Sequence, residues 1–221
     1  MIDPRLLAEQ PPTPGDCAAL AEALHRIGAV QFGTFTLKSG ATSPVYCDLR
    51  LMASDATVLA AAAEHYAALL APLSYDRIAA IPYAGLPIGT AVSLRLNRPL
   101  IFPRKEVKAY GRGRAIEGAF TPGETVVVID DLVSSGLSKI EAIAPLAEAG
   151  LIVHDIAVLI DRRGADATDL GAAGFRLHAA FTLPEIAAAL AANGRITSDE
   201  RAAIDRYLTA SQTPLQSHDQ E

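Results

Sequence analysis

Residues 126–143, VVVIDDLVSSGLSKIEAI, restrict the fold more than any other stretch of this chain. Val126 to Ile129 read as a buried strand of β-branched residues, and Asp130 and Asp131 end it. A short loop of serines and glycine follows. A helix is then expected from Ser138, because Ser138-Lys-Ile-Glu141 has the spacing of a capping box, and Gly150 is placed to stop it. In an open α/β sheet, ligands bind beyond the carboxyl ends of the strands. A loop that runs into a helix N-terminus there offers unpaired N–H groups to a phosphate. Ser134, Ser135 and Ser138 add hydroxyl donors, and Gly136 lets backbone approach a ligand closely. The two acids can accept ribose hydroxyl donors and meet a magnesium ion through water.

The rest of the chain repeats the alternation. Thr13-Pro14-Gly15-Asp16 reads as a helix start with a hydroxyl cap, and Cys17, Leu20, Leu24 and Ile27 recur at helical spacing before Gly28. Phe35 and Leu37 alternate before Ser39-Gly40, and Val45, Cys47 and Leu49 alternate after it, a hairpin-like pair of strands. Helices are expected over residues 55–71 and 87–96, and strands over 77–81, 100–102, 152–160 and 175–180. Thr182-x-x-Glu185 and Thr197-x-x-Glu200 open two further helices. Strands separated by helices predict an α/β domain with a mainly parallel sheet. At about 150 residues per domain, 221 residues amount to one domain with decorations. The expected division is a flexible arm over 1–14, the domain over 15–195, and a C-terminal helix with a disordered tail over 196–221.

Composition narrows the class. Half the residues are hydrophobic, which excludes a wholly disordered chain. The net charge of −6 argues against a general nucleic-acid binder. Cys17 and Cys47 form no C-x-x-C pair and read as reduced thiols. The N-terminus lacks the apolar core of a signal peptide, no apolar run is long enough to cross a bilayer, and no C-terminal lipidation motif is present, so a soluble cytoplasmic protein without membrane partners is expected. His25, His65, His154 and His178 lack metal-like spacing. A Walker-B-like aspartate would need G-x-x-x-x-G-K-[ST], which is absent, as are G-x-G-x-x-G, H-E-x-x-H and G-x-S-x-G.

Against this acidic background, residues 98–114 (RPLIFPRKEVKAYGRGR) hold six of the nineteen basic residues and one acid. The stretch is therefore +5, and the remainder of the chain −11. Arg104, Lys105, Lys108, Arg112 and Arg114 beside Gly111 and Gly113 suit a multiply charged anion such as a departing pyrophosphate. A solvated basic hairpin and a nucleic-acid patch are the other readings, the latter weakened by the lack of stacking aromatics beyond Tyr110.

The 126–143 segment resembles the phosphoribosyl-pyrophosphate (PRPP) signature of type I phosphoribosyltransferases. The resemblance implies that the loop of Ser134, Ser135, Gly136, Leu137 and Ser138 grips the 5-phosphate, that Asp130 and Asp131 face the ribose hydroxyls, and that Leu132 and Val133 also belong to the PRPP site. Residues 104–118 resemble the catalytic lid of the orotate phosphoribosyltransferase family, and more closely its version in the bifunctional uridine monophosphate synthases. The lid of that family reaches into a neighbouring subunit, which implies a homodimer in which Arg104, Lys105 and Lys108 serve the transition state and Tyr110 stands near PRPP, where many relatives have histidine. Residues 32–50 resemble the family's N-terminal hairpin, implying that Lys38 approaches the substrate and that Tyr46 and Cys47 lie against the pyrimidine. Residues 79–91 resemble its second PRPP loop, with Tyr83 and Ala84 at the contacts. LIDRRG, residues 159–164, resembles the strand end whose arginine, here Arg162, holds the orotate carboxylate, with Ser134 also beside orotate. The implied fold is that of type I phosphoribosyltransferases, a twisted, mainly parallel sheet flanked by helices under a small N-terminal hood. The implied catalysts are Arg104, Lys105, Lys108 and Asp131, with Mg²⁺ entering on PRPP and no protein metal cage. The chain is too short to carry the barrel-shaped decarboxylase half of the bifunctional enzyme.

Three other readings stay open on the residues. A transferase for another base would keep the phosphate loop without needing Arg162. A non-catalytic PRPP-binding regulator would have little use for three clustered lid cations. A bland α/β domain would explain neither feature.

Overall fold

A computed structural model describes residues 16–36, 42–105, 115–134, 136–163 and 169–210. The arm before Asp16, the tail beyond Ala210, Lys38, Lys108, Tyr110 and Ser135 lie outside the described residues.

Helix α1 (Cys17–Arg26) is capped by Asp16, whose carboxylate accepts the amides of Ala18 and Ala19, in place of the cap expected at Thr13. Strands β1 (Val30–Thr36) and β2 (Thr42–Cys47) pair antiparallel as the expected hairpin. Leu49 does not extend the second strand. Asp48 turns its side chain onto the Arg50 amide and caps a 3-10 turn over Leu49–Ser54, which buries Leu49 and Met52. Helix α2 (Ala56–Leu70), strand β3 (Arg77–Ala80), helix α3 (Gly85–Leu96) and strand β4 (Leu100–Pro103) follow where the periodicity puts them. Strand β5 (Ile116–Glu117) is too short to leave a periodic signal. Strand β6 (Thr125–Val133) does not stop at the acids but runs through them, because its last residues pair with the end of strand β7 (Ile152–Asp161).

Helix α4 (Leu137–Glu148) begins one residue before Ser138, with Gly136 as its cap at φ 94, so the expected Ser138–Glu141 box does not form. A side chain at Gly136 would also meet Leu170 at 2.9 Å. A four-residue helix α5 (Asp169–Ala172), strand β8 (Arg176–Thr182), and helices α6 (Leu183–Ala192) and α7 (Ser198–Ala210) complete the chain. Both remaining capping boxes form: Thr182 and Glu185 exchange bonds, as do Thr197 and Glu200.

The main sheet runs β5-β4-β3-β6-β7-β8, parallel throughout except for the β4–β5 pair. From β3 the chain winds outward to β4, then returns to β6 on the other side of β3 and winds the opposite way to β8. The strand order therefore reverses between β3 and β6, which opens a crevice at their carboxyl ends. Alternate residues of β6 serve two cores. Val127 and Ile129 face Ile88, Tyr66 and Leu183, on the side of α2, α3 and α6. Val126 and Val128 face Ile143, Leu146 and Leu170, on the side of α4 and α5. The β1–β2 hairpin packs Val30 and Val45 into the first core together with α1 and α7, where Ile204 and Leu208 are also buried, so the C-terminal helix is part of the same core as the hood.

Candidate active site

The crevice at the β3–β6 reversal is a cleft of about 360 Å³ lined by Cys47, Tyr83, Ala84, Lys105, Asp131 and Arg162 among others. Five separate stretches of sequence thus meet at one place. A second hollow of about 500 Å³ adjoins it through Asp130 and is lined by Arg104, Lys105, Ser138 and Lys139. A larger groove, about 710 Å³, lies between α1 and the α6–α7 turn. It gathers Glu22, His25, Arg26 and Arg195, of which Glu22 and Arg195 already pair with each other, and it has neither an acid pair nor a phosphate loop.

Asp130 and Asp131 stand in the last third of β6, just before the loop. Asp130 is buried and held on all sides. Its Oδ1 accepts the Asp131 amide at 2.9 Å, its Oδ2 pairs with the Lys139 ammonium, and its carbonyl accepts the Tyr66 hydroxyl at 2.6 Å. Gly85 leaves room for this arrangement, since a Cβ there would come within 2.8 Å of the Ile129 carbonyl. Asp131 is half-buried and lines the cleft. Burial, and then the neighbouring Asp130 carboxylate, push its carboxyl up to about 6, although the Leu132 amide and Lys139 pull the other way. The amides of Lys139 and Ile140 both return to the Gly136 carbonyl, so those of Leu137 and Ser138 in the first turn of α4 have no partner within the helix. Ser134 and Ser138 are exposed at that end, as is the Leu137 side chain. Leu132 lines the cleft. The Val133 side chain is packed in the second core, and its carbonyl accepts the Arg162 amide at 3.0 Å.

On the β3 side, the Pro82–Tyr83 peptide bond is cis, and the Tyr83 ring is 61% exposed with the Lys105 ammonium 5.0 Å from its centroid. Arg104 has a different setting. Its amide donates to the Ala115 carbonyl at 2.7 Å and its guanidinium pairs with Glu117, so it fastens the stem from which residues 106–114 depart. Across the cleft, Cys47 faces Arg162, and burial pushes its thiol up to about 11. Tyr46 points to the opposite face of β2, where its ring tilts against Phe35 at 5.7 Å. The structure therefore brings together Cys47, Tyr83, Ala84, Lys105, Asp130, Asp131, Leu132 and Arg162, and it separates Tyr46 from them.

The sequence reading missed Lys139. On α4 it shares the buried stripe with Ile143 and Leu146, four and seven positions on. A lysine on an apolar stripe, in the first turn beside two acids, was the available signal.

No family model matches the chain. The orotate phosphoribosyltransferase of Chlamydia pneumoniae is 38% identical over 80% of this chain and 85% of its own. The bifunctional PyrF/PyrE enzyme of a Nostoc species is 45% identical over 82% of this chain but only 38% of its own length. The solved UMP synthase of Leishmania donovani superposes with a TM-score of 0.80 at 40% identity, covering 89% of this chain and 43% of that one. The chain thus spans well under half the length of these last two relatives and most of the length of the first. A crevice at the strand reversal, an acid pair running into a serine–glycine loop and a relative matched over most of its length lead to one conclusion: the chain belongs to the orotate phosphoribosyltransferase family, with the type I phosphoribosyltransferase fold.

Proposed function

We propose that the chain transfers the phosphoribosyl group of PRPP to N1 of orotate, giving orotidine 5′-monophosphate and pyrophosphate, a step of pyrimidine nucleotide synthesis. The observation that carries this reading is the convergence of Asp131, Lys105 and Arg162 on one cleft beside the N-terminus of α4. Each has a distinct partner on the substrates. The loop and the first turn of α4 take the 5-phosphate. Asp131 accepts the ribose hydroxyls and fixes the sugar. Arg162 takes the orotate carboxylate in a planar, two-point contact. Lys105 faces the side from which pyrophosphate leaves, and a cation there stabilises charge that grows as the C1–O bond lengthens and C1 becomes oxocarbenium-like. N1 of orotate then attacks from the opposite face, with inversion.

The donor set fits a magnesium ion carried in on PRPP and held by its pyrophosphate and ribose oxygens. One of the two acids is already neutralised by Lys139, and among the described residues no group of three or more His, Cys, Asp or Glu side chains is placed to hold a metal. Bound there, the ion would screen the leaving pyrophosphate. Residues 106–114, with Lys108 and Tyr110, complete a lid that excludes water, and a homodimer that shares this lid between subunits belongs to the same proposal. Among the described residues, no helix is long and apolar enough to cross a membrane.

The test is orotate absorbance near 295 nm with PRPP and Mg²⁺, then with each left out in turn. Loss of absorbance that requires all three is expected. No loss, with uracil, hypoxanthine or adenine consumed instead, would assign the chain another base. PRPP binding without turnover of any base would make it a regulator.

A pH dependence follows from Asp131. The anion accepts hydroxyls on both oxygens, whereas the protonated acid turns one oxygen into a donor and accepts weakly on the other, so kcat/KM for PRPP is expected to be level above about pH 7 and to fall by up to roughly tenfold per unit well below the carboxyl's value of about 6. Stability has the opposite sign. A folded-state value above the unfolded 3.8 stabilises most below that value and loses the contribution as pH rises through about 6. Asp131→Asn is therefore expected to raise Tm at pH 7.5 while abolishing turnover, and a lowered Tm would contradict this account of the site.

A further inference from the structure

We propose that Lys139 is a positioning residue for PRPP: by neutralising and clamping Asp130, it fixes the acid pair at the ribose side of the cleft and limits the negative charge that meets the ligand. The inference rests on the transferase reading above and adds to it a residue that touches no substrate.

The Lys139 side chain is 9% exposed and the Asp130 side chain 8%, so their ion pair lies almost wholly out of water. Lys139 occupies a position that the packing of α4 would otherwise give to an apolar residue, since Ile143 and Leu146 continue the same buried stripe. It also lies in the first turn of a helix, where the macrodipole disfavours a cation. Neither the helix dipole nor core packing selects lysine there, whereas the Asp130 carboxylate does.

The acid pair shows what the lysine accomplishes. Asp130 and Asp131 are adjacent and each at least half-buried, and PRPP brings several negative charges to the same cleft. Two ionised carboxylates would repel each other and the ligand. Among the described residues, the other cations near the pair are Lys105 and Arg162 in the cleft, Arg104 in the adjoining hollow, where it pairs with Glu117, and Arg50 at the cleft edge in a 2.6 Å bond to Asp48. Among the described residues, Lys139 forms the ion pair with Asp130. It approaches from α4, away from the base side, and occupies Oδ2 while the Asp131 amide occupies Oδ1. Tyr66 fixes the carbonyl of the same residue. With its side chain and backbone both held, Asp130 is a rigid post in the cleft wall beside Asp131.

Lys139→Met, close in length and apolar, is expected to weaken PRPP binding by tenfold or more with Mg²⁺ present, read by calorimetry and as KM for PRPP. KM for orotate should change less than about twofold, and Lys139→Arg should restore most of the PRPP affinity. The deciding measurement is a double-mutant cycle. In an Asp130→Asn background, adding Lys139→Met should change PRPP binding less than about twofold, because the charge it serves is gone. An equal loss in both backgrounds would overturn the proposal and make Lys139 a direct ligand contact, and no loss in the single variant would overturn it outright. If Lys139→Met alone fails to fold, the neutral double variant and Lys139→Arg still decide, the first against Asp130→Asn and the second against wild type. Wild-type enzyme that binds no PRPP would instead defeat the transferase reading, a result distinct from any of these.

Discussion

Lys105→Ala is expected to lower kcat by about 10²–10³ while leaving the fold intact. A donor aimed at charge that develops in a transition state is worth about 2.7–4 kcal/mol, which corresponds to that loss. The same side chain contributes little to folding. It is exposed, and its described contact is with the face of Tyr83, 5.0 Å away and itself largely exposed, an interaction worth about 0.5–1 kcal/mol at such a site. The two magnitudes differ enough to separate the roles. Circular dichroism and thermal melting should be nearly unchanged, KM for orotate should hold, and single-turnover rates should carry the loss. Arg104→Ala makes the contrast, because its guanidinium is committed to Glu117 beside the β4–β5 pair. Its loss should loosen the stem and raise KM for PRPP as well as lower kcat. Equal, small effects from both variants would place the pyrophosphate elsewhere.

What the sequence disclosed and what it withheld divide along the range of the interactions. The β6–loop–α4 unit was legible because strand, acids, glycine and helix are consecutive, and the local chemistry of each points the same way. The boxes at Thr182 and Thr197 were legible for the same reason. The box at Ser138 failed because Gly136, left-handed and closely packed under Leu170, already starts the helix and shifts Ser138 inside it. Continuation of β6 past the acids depends on Leu132 and Val133 pairing with Ile160 and Asp161, and no local pattern contains that. The strand reversal between β3 and β6, which makes the cleft, is likewise a property of long-range pairing. The family resemblance implies that Tyr46 and Cys47 both lie against the pyrimidine, yet adjacent residues of a strand face opposite ways, and of the two it is Cys47 that lines the cleft. Lys139 escaped because an isolated lysine in a helix reads as solvent-facing until its stripe is seen to be buried.

Arg162→Gln is expected to raise KM for orotate roughly 10- to 150-fold and leave KM for PRPP within about twofold. The range follows from about 1.5–3 kcal/mol for a hydrogen bond to a charged group, at about 1.4 kcal/mol per decade. The geometry directs the effect to the base. Arg162 follows the last residue of β7, with its amide fixed to the Val133 carbonyl, so the backbone that carries it is continuous with the sheet. The next residue, Arg163, is folded back onto Asp161 with contacts of 2.9–3.2 Å, which keeps that carboxylate from competing for Arg162. Cys47 faces the same guanidinium, and because burial holds its thiol up to about 11, it stays neutral and supplies no competing anion at neutral pH. The cleft thus keeps a planar cation for an acidic base and has little to offer an uncharged one. Wild-type enzyme should prefer orotate to uracil by a wide margin, and Arg162→Gln should narrow that margin by losing orotate activity rather than by gaining uracil activity. A variant that lost PRPP affinity instead would put Arg162 on the sugar side, and the choice of base would then have to come from the hood.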